Sequence, residues 1–232
     1  MKKLFFILFF LGCIAMVKAQ DVNSINSTMN NFRLSMLPEA ATFEAIALYY
    51  DGNPFLESEW LPGKVFMVSG QTLEYPMKYF VYAEQILLKN EQDSIRSLHL
   101  SEQVREVRIG NRFFVYDEYF SGGKVKTGIL ESLYRGSSCR VFLLHTCRIE
   151  KGREGNGYQE REKDFFQQQH TLYYSMEDAP AMPLPRGKKD FFRIFGEHAG
   201  AVERFCKENR LKIRQEDMPR IFTRYDELEK TK

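Results

Sequence analysis

The strongest constraint on the fold is the stretch KTGILESLYRGSSCRVFLLHTCRIE, residues 126 to 150, in which two long β-favouring runs flank Arg135-Gly136-Ser137-Ser138. A four-residue link containing glycine has the length that joins antiparallel partners. In the second run, alternation puts Cys139, Val141, Leu143, His145, Cys147 and Ile149 on one side, and Arg140, Phe142, Leu144, Thr146 and Arg148 on the other. The cysteine side is apolar and is expected to face a core, with the arginines marking the wetter side. On one straight strand Cys139 and Cys147 lie roughly 26 Å apart at ~3.3 Å per residue, too far for a disulfide with each other.

The same period-two character extends upstream. KVFMVSG lies between Gly63 and Gly70, EYPMKYFVYAEQILLKN reads as two strands around Ala83-Glu84-Gln85, and SIRSLHL, VREVRIG and RFFVYDEYF follow, with turns at 90–93 and at Gly110-Asn111. Residues 150–169, EKGREGNGYQEREKDFFQQQ, are charged, contain glycine and are nearly free of aliphatic residues, so they are expected to form a long exposed loop or hairpin tip. HTLYYSM is the last expected strand, and APAMPLPRG a linker.

Beyond Lys188 the period changes to that of helices. Phe191, Phe192 and Phe195 form one stripe, Val202, Phe205 and Cys206 a second, and Ile221, Phe222, Tyr225 and Leu228 a third. Stripes this narrow do not hold isolated helices in water, so these must dock on the sheet. The expected fold is α+β, a curved antiparallel sheet of about eight strands in residues 38–185 with a C-terminal helical segment in 186–232.

The first nineteen residues, MKKLFFILFFLGCIAMVKA, read as a secretory signal peptide: lysines at 2 and 3, an apolar run from Leu4 to Val17, and small-residue spacing at Val17 and Ala19. The run is short of the roughly 20 residues a membrane-spanning helix needs, and the mature chain is expected to carry no transmembrane span. Cleavage is expected before Gln20, leaving 213 of 232 residues. Acylation at Cys13 as a lipoprotein is the alternative. Residues 20–37 read as a flexible leader, and 38–50 as an ambiguous segment ending in a strand.

Loss of Lys2, Lys3 and Lys18 lowers the 33 basic residues to 30 against 31 acidic. With no broad cationic field, nucleic acid is excluded as a partner class. Cys139, Cys147 and Cys206 remain, an odd number without a regular framework, and read as structural thiols.

DGNPFLESEWLPG, residues 51 to 63, holds the only tryptophan. Gly52-Asn53 before Pro54 makes one turn and Pro62-Gly63 a second, with Phe55, Leu56 and Trp60 between them expected to cap one end of the sheet. Gly52, Pro54, Phe55 and Leu56, then Trp60, Gly63 and Val65, then Pro76, Lys78 and Tyr79, together resemble a family of uncharacterised exported proteins of Bacteroidetes-type bacteria. That family often has Arg-Tyr-Asn where this chain has Lys-Tyr-Phe. The resemblance implies a secreted β-rich domain with a helical end, and brings no catalytic residue or ligand.

Among residues that could carry chemistry, His145 and Cys147 lie two apart and share a strand face. A Cys-His nucleophile needs the imidazole in reach of the sulfur and a third group orienting it, so the preferred reading is a buried thiol beside a satisfied core histidine. Ser137-Ser138 lacks a nucleophile-elbow pattern. His99, His170 and His198 have no metal-ligand spacing, and no metal or cofactor is expected. Asp117 and Glu118 are adjacent on a strand and point to opposite sides. The glycines of EKGREGNGYQ lack a phosphate-loop pattern, and Asn26-Ser27-Thr28 matches a glycosylation acceptor only as a short pattern. The tyrosine surplus, from Tyr49 to Tyr174, favours a binding surface without locating it. The function expected is a non-catalytic periplasmic or cell-surface binding or structural module, partnered by another envelope protein. The alternatives are a carrier of a small apolar ligand or lipid, and an envelope hydrolase using Cys147 and His145.

Overall fold

A computed structural model of the chain describes residues 50–231 except 93, 99, 101 and 156–159. The signal peptide, Cys13, the cleavage site before Gln20, the leader, Asn26-Ser27-Thr28, residues 38–49 and His99 lie outside the described residues.

Ten strands form one open antiparallel sheet: β1 (Leu61–Met67), β2 (Thr72–Phe80), β3 (Gln85–Lys89), β4 (Ile95–Leu98), β5 (Val104–Ile109), β6 (Arg112–Ser121), β7 (Lys124–Arg135), β8 (Cys139–Glu150), β9 (Phe165–Met176) and β10 (Met182–Pro183). Their order is β10-β9-β8-β7-β6-β5-β1-β2-β3-β4. Three helices follow, α1 (Lys188–Arg193), α2 (Ala199–Glu208) and α3 (Met218–Glu229), with short 3-10 turns at Gly196–His198 and Gln215–Asp217. The α+β architecture is as expected, with ten strands in place of eight.

Two segments depart from the sequence reading. Residues 165–169, expected in a loop, open β9, which pairs with β8 from Glu150↔Phe165 to Cys139↔Met176. The run Gln167-Gln168-Gln169 hides this strand because it carries no apolar period: Gln167 accepts from Arg148 at 3.1 Å, Gln168 donates to backbone oxygens of residues 53 and 55, and Gln169 is exposed. Pro62 and Gly63, expected in a turn, lie in β1 opposite Pro76 and Tyr75. Gly63 is needed there because a Cβ would run into the Met77 side chain, whose Cβ would be 2.9 Å away.

The sheet curls until its two halves meet. Asp51 N–H donates to Asp164 O at 2.9 Å and Phe166 N–H to Asp51 O at 2.8 Å, while Leu56 N–H donates to Tyr79 O at 2.9 Å and Tyr82 N–H to Pro54 O at 3.2 Å. Residues 51–56 thus strap β9 to the end of β2, strands that lie far apart in the sheet order. Inside the curl, Val65, Met77, Tyr79, Ile86, Val107, Ile109, Phe114 and Ile129 form one core, with Leu56 packed against it.

A second core joins sheet to helices: Cys139 and Val141 of β8 meet Phe191, Phe192, Phe195, Val202, Cys206, Met218, Ile221 and Phe222. The third lies on the opposite side of β8. Phe142, assigned from alternation to the wetter face, is buried there with Val115, Tyr119, Leu130, Tyr173 and Ala181. The reason is the chain after β9, which returns across that face so that Ala181 exchanges two backbone hydrogen bonds with β6, each at 2.8 Å.

Candidate functional site

Gly52 takes φ +86°, and a Cβ there would stand 2.8 Å from Phe166 O, so the turn needs glycine. Asn53 Oδ1 accepts the Phe55 N–H at 3.0 Å, a local turn contact. Pro54 is buried, and the half-buried Phe55 stacks on Phe80 with centroids 4.8 Å apart. Lys78 lies over the rings of Phe55 at 4.6 Å and Trp60 at 5.7 Å. Burial lowers the Lys78 pKa, and Glu59 partly offsets that. Gly63 is buried in β1, Pro76 is exposed in β2 and Tyr79 is buried at the core's edge. The motif is therefore a closure of the fold whose far end is tied down by Gln168, which donates to Asn53 O at 2.8 Å and Phe55 O at 2.7 Å.

Beneath the strap lies a polar chain that runs from the surface into the interior. His145 is 2 % exposed and Glu131 5 %; His145 Nε2 and Glu131 Oε2 are 2.6 Å apart. Arg112 donates to the same Glu131 oxygen at 3.0 Å and reaches Glu57 of the strap at 3.1 Å. On the other ring nitrogen, His145 Nδ1 stands 2.9 Å from Nδ1 of His170, its cross-strand partner and an exposed residue. Only one proton can occupy that nitrogen-to-nitrogen contact, so the two imidazoles cannot both be charged while it holds. Burial, followed by the charges of His145 and Arg112, lowers the His170 pKa against the pull of Glu131. A base next to a buried acid can relay a proton, and this is the chemistry the arrangement allows.

Cys147, predicted as the possible partner of His145, is half-buried and packs against the main core. Burial pushes its thiol pKa up, opposite to what a thiolate nucleophile needs. His145 instead spends both ring nitrogens on Glu131 and His170, partners on β7 and β9 that spacing within one strand could not show. Cys139 and Cys206 are also free thiols, and burial raises both, Cys206 to about 11.

The remaining candidates are structural or surface groups. Ser137 and Ser138 give their backbone N–H groups to Asp226 of α3 at 3.0 and 2.9 Å. Asp117 pairs with Arg140 at 2.7 Å, and Glu118 is exposed. His198 stands 3.4 Å from Glu229. Among the described residues no group of three or more His, Cys, Asp or Glu is placed to hold a metal ion, and no helix is long and apolar enough to cross a membrane.

An open groove of about 610 Å³ lies between α2 and α3, lined by Ala201, Phe205 and Pro219 on its floor and by Arg204, Arg220 and Arg224 with Glu208 and Glu227 on its walls. Phe205, assigned from periodicity to a buried stripe, is half-buried and faces this groove. The groove is made by the crossing of two helices, which periodicity within each helix does not show. Comparison with family models, with curated proteins and with solved structures finds no match.

Proposed function

We propose that the chain is an exported protein of the periplasm or cell surface, cleaved before Gln20 and akin to the exported group its strap residues resemble, and that it works as a non-catalytic binding or structural module. One observation carries the reading: the side chains most like catalytic machinery are consumed by one another. His145 is closed on both nitrogens by Glu131 and His170, and Cys147 sits apart from them with a raised pKa. The polar chain then serves to hold strap, β7 and β9 together, which is a structural role for buried charge.

The alternative of an apolar carrier needs a void inside the curl. That interior is filled by Val65, Met77, Tyr79, Val107 and Phe114, each at most 2 % exposed, and lends the carrier no support.

The test is expression of the tagged chain with its export signal, followed by cross-linking and recovery from the envelope fraction. Stoichiometric recovery of one specific partner supports the reading. A partnerless monomer that hydrolyses an ester, with the activity lost in His145→Ala, refutes it.

A further inference from the structure

The tail carries cations that the fold leaves unused. Lys188 pairs with Glu203, Arg214 with Asp217, and Arg224 with Glu227. Arg204, Lys207, Arg210 and Lys212 are exposed and make no ion pair with a described residue. Arg220 donates to Asn209 at 3.4 Å and acts on Asp217 only at longer range, with no ion pair in contact among the described residues. Arg204 on α2 and Arg220 on α3 face the same groove, whose floor is Phe205. Arg224 also lies over the Phe205 ring at 6.0 Å, so the aromatic floor and a guanidinium wall are already in register.

The chemistry of an occupant follows from these walls. Guanidinium groups present a planar fork that matches carboxylates two bonds at a time. Glu208 and Glu227 on the same rim repel a densely charged polyanion, and so favour carboxylates spaced along a chain. The half-buried Phe205 and Pro219 offer an apolar seat between them. A recess between two crossing helices admits a projecting segment and not the flat face of a bilayer. The chain's own leader does not fit, because residues 20–49 hold three acids, Asp21, Glu39 and Glu44, widely spaced around Arg33.

We infer that the α2–α3 groove docks an acidic peptide segment of another exported protein, with carboxylates on Arg204 and Arg220 and one apolar side chain on Phe205, beside the Arg224–Glu227 pair. The inference rests on the binding-module reading and names the partner class and the surface.

The probe is a fluorescein-labelled nonapeptide of alternating Asp or Glu with Phe or Leu, titrated with the whole chain and followed by anisotropy. Controls are the same peptide with serine for every acid, the same peptide with glycine for every apolar residue, and vesicles of phosphatidylglycerol. Saturable binding that weakens with added salt is expected, and Arg204→Glu/Arg220→Glu should weaken it by about tenfold or more. Phe205→Ser should weaken it with the salt dependence kept. Arg204 and Arg220 are exposed and Phe205 is half-buried, and far-UV circular dichroism verifies that each variant is folded. Binding untouched by the arginine reversal overturns the groove assignment and leaves the module reading standing. Binding to vesicles but not to the peptide overturns the peptide class in favour of a lipid surface, and binding to neither overturns the inference outright. Ester hydrolysis lost in His145→Ala, alongside intact peptide binding at the groove, overturns the non-catalytic reading alone.

Discussion

Replacing Asp226 by alanine should unlatch the helical segment from the sheet. Asp226 is 2 % exposed, and its carboxylate accepts from Tyr134 Oη at 2.7 Å and from the backbone N–H groups of Ser137 and Ser138 at 3.0 and 2.9 Å. One side chain of α3 thereby ties down the whole β7–β8 turn, and Gly136 leaves the room for it, since a Cβ there would collide with the carboxylate. A hydrogen bond to a charged group contributes about 1.5–3 kcal/mol net. In the alanine variant the exposed Ser137 N–H finds water and the 3.5 Å Cys139 thiol contact is weak, so the Tyr134 and Ser138 contacts count fully and the loss should be about 3–6 kcal/mol. For a chain of this size that lowers Tm by roughly 10 °C. The assay is urea and thermal unfolding followed by circular dichroism, with Asp226→Asn, which keeps the shape and one acceptor oxygen, expected to fall between.

The same carboxylate makes a pH prediction. Burial opposes its charge, but the bonds from Tyr134, Ser138, Ser137 and Cys139 outweigh that and hold its pKa below the usual range. A folded pKa below the unfolded value of about 3.9 means the contribution is complete above about pH 4 and is lost as pH falls through the folded pKa. The wild type should therefore lose stability toward acid more steeply than Asp226→Ala. A penalty under about 1 kcal/mol at neutral pH, or identical acid limbs in the two proteins, would refute the latch.

Two further outcomes check the rest of the fold. Because the His170 pKa is lowered, its contribution is present above the unfolded value of about 6.5 and fades as pH falls through the folded pKa; His170→Asn should flatten that slope, and imidazole nitrogen NMR should show one shared proton at the contact with His145. Gly63→Ala should cost about 1–3 kcal/mol by overpacking against Met77, measured by urea unfolding, and Met77→Ala should cost less in that background than in the wild type, because the clash with the outer Met77 side chain is gone.

What the sequence made legible follows from how local each signal is. The β7–β8 hairpin and its loop show in the alternation around Arg135-Gly136-Ser137-Ser138, because both partners are adjacent in the chain. The Gly110 turn and the Phe191-Phe192-Phe195 stripe are visible for the same reason. β9 was half hidden because Gln167, Gln168 and Gln169 carry no apolar period, and Phe142 was assigned to the wrong environment because Ala181 covers it from 39 positions away. The satisfied core histidine expected at His145 is found, with both ring nitrogens occupied, but the sequence does not show that its partners, Glu131 and His170, come from β7 and β9. Spacing within one strand identifies a shared face and says nothing of which neighbouring strand supplies the hydrogen bonds.

The three long-range closures share a logic that also separates structure from function here. Gln168 on the strap carbonyls, Ala181 on β6 and Asp226 on the β7–β8 turn each spend polar groups on fixing a distant part of the chain to the sheet. Such groups are buried or half-buried, and removing one leaves an unpaired partner, so their cost falls on stability. Arg204 and Lys207 on α2 stand in the opposite condition: exposed, without an ion pair to any described residue, and dispensable to the packing of Val202 and Cys206 on the helix's inner face. A charge reversal at Arg204 that left unfolding unchanged but altered association would place the role of that face outside the fold itself.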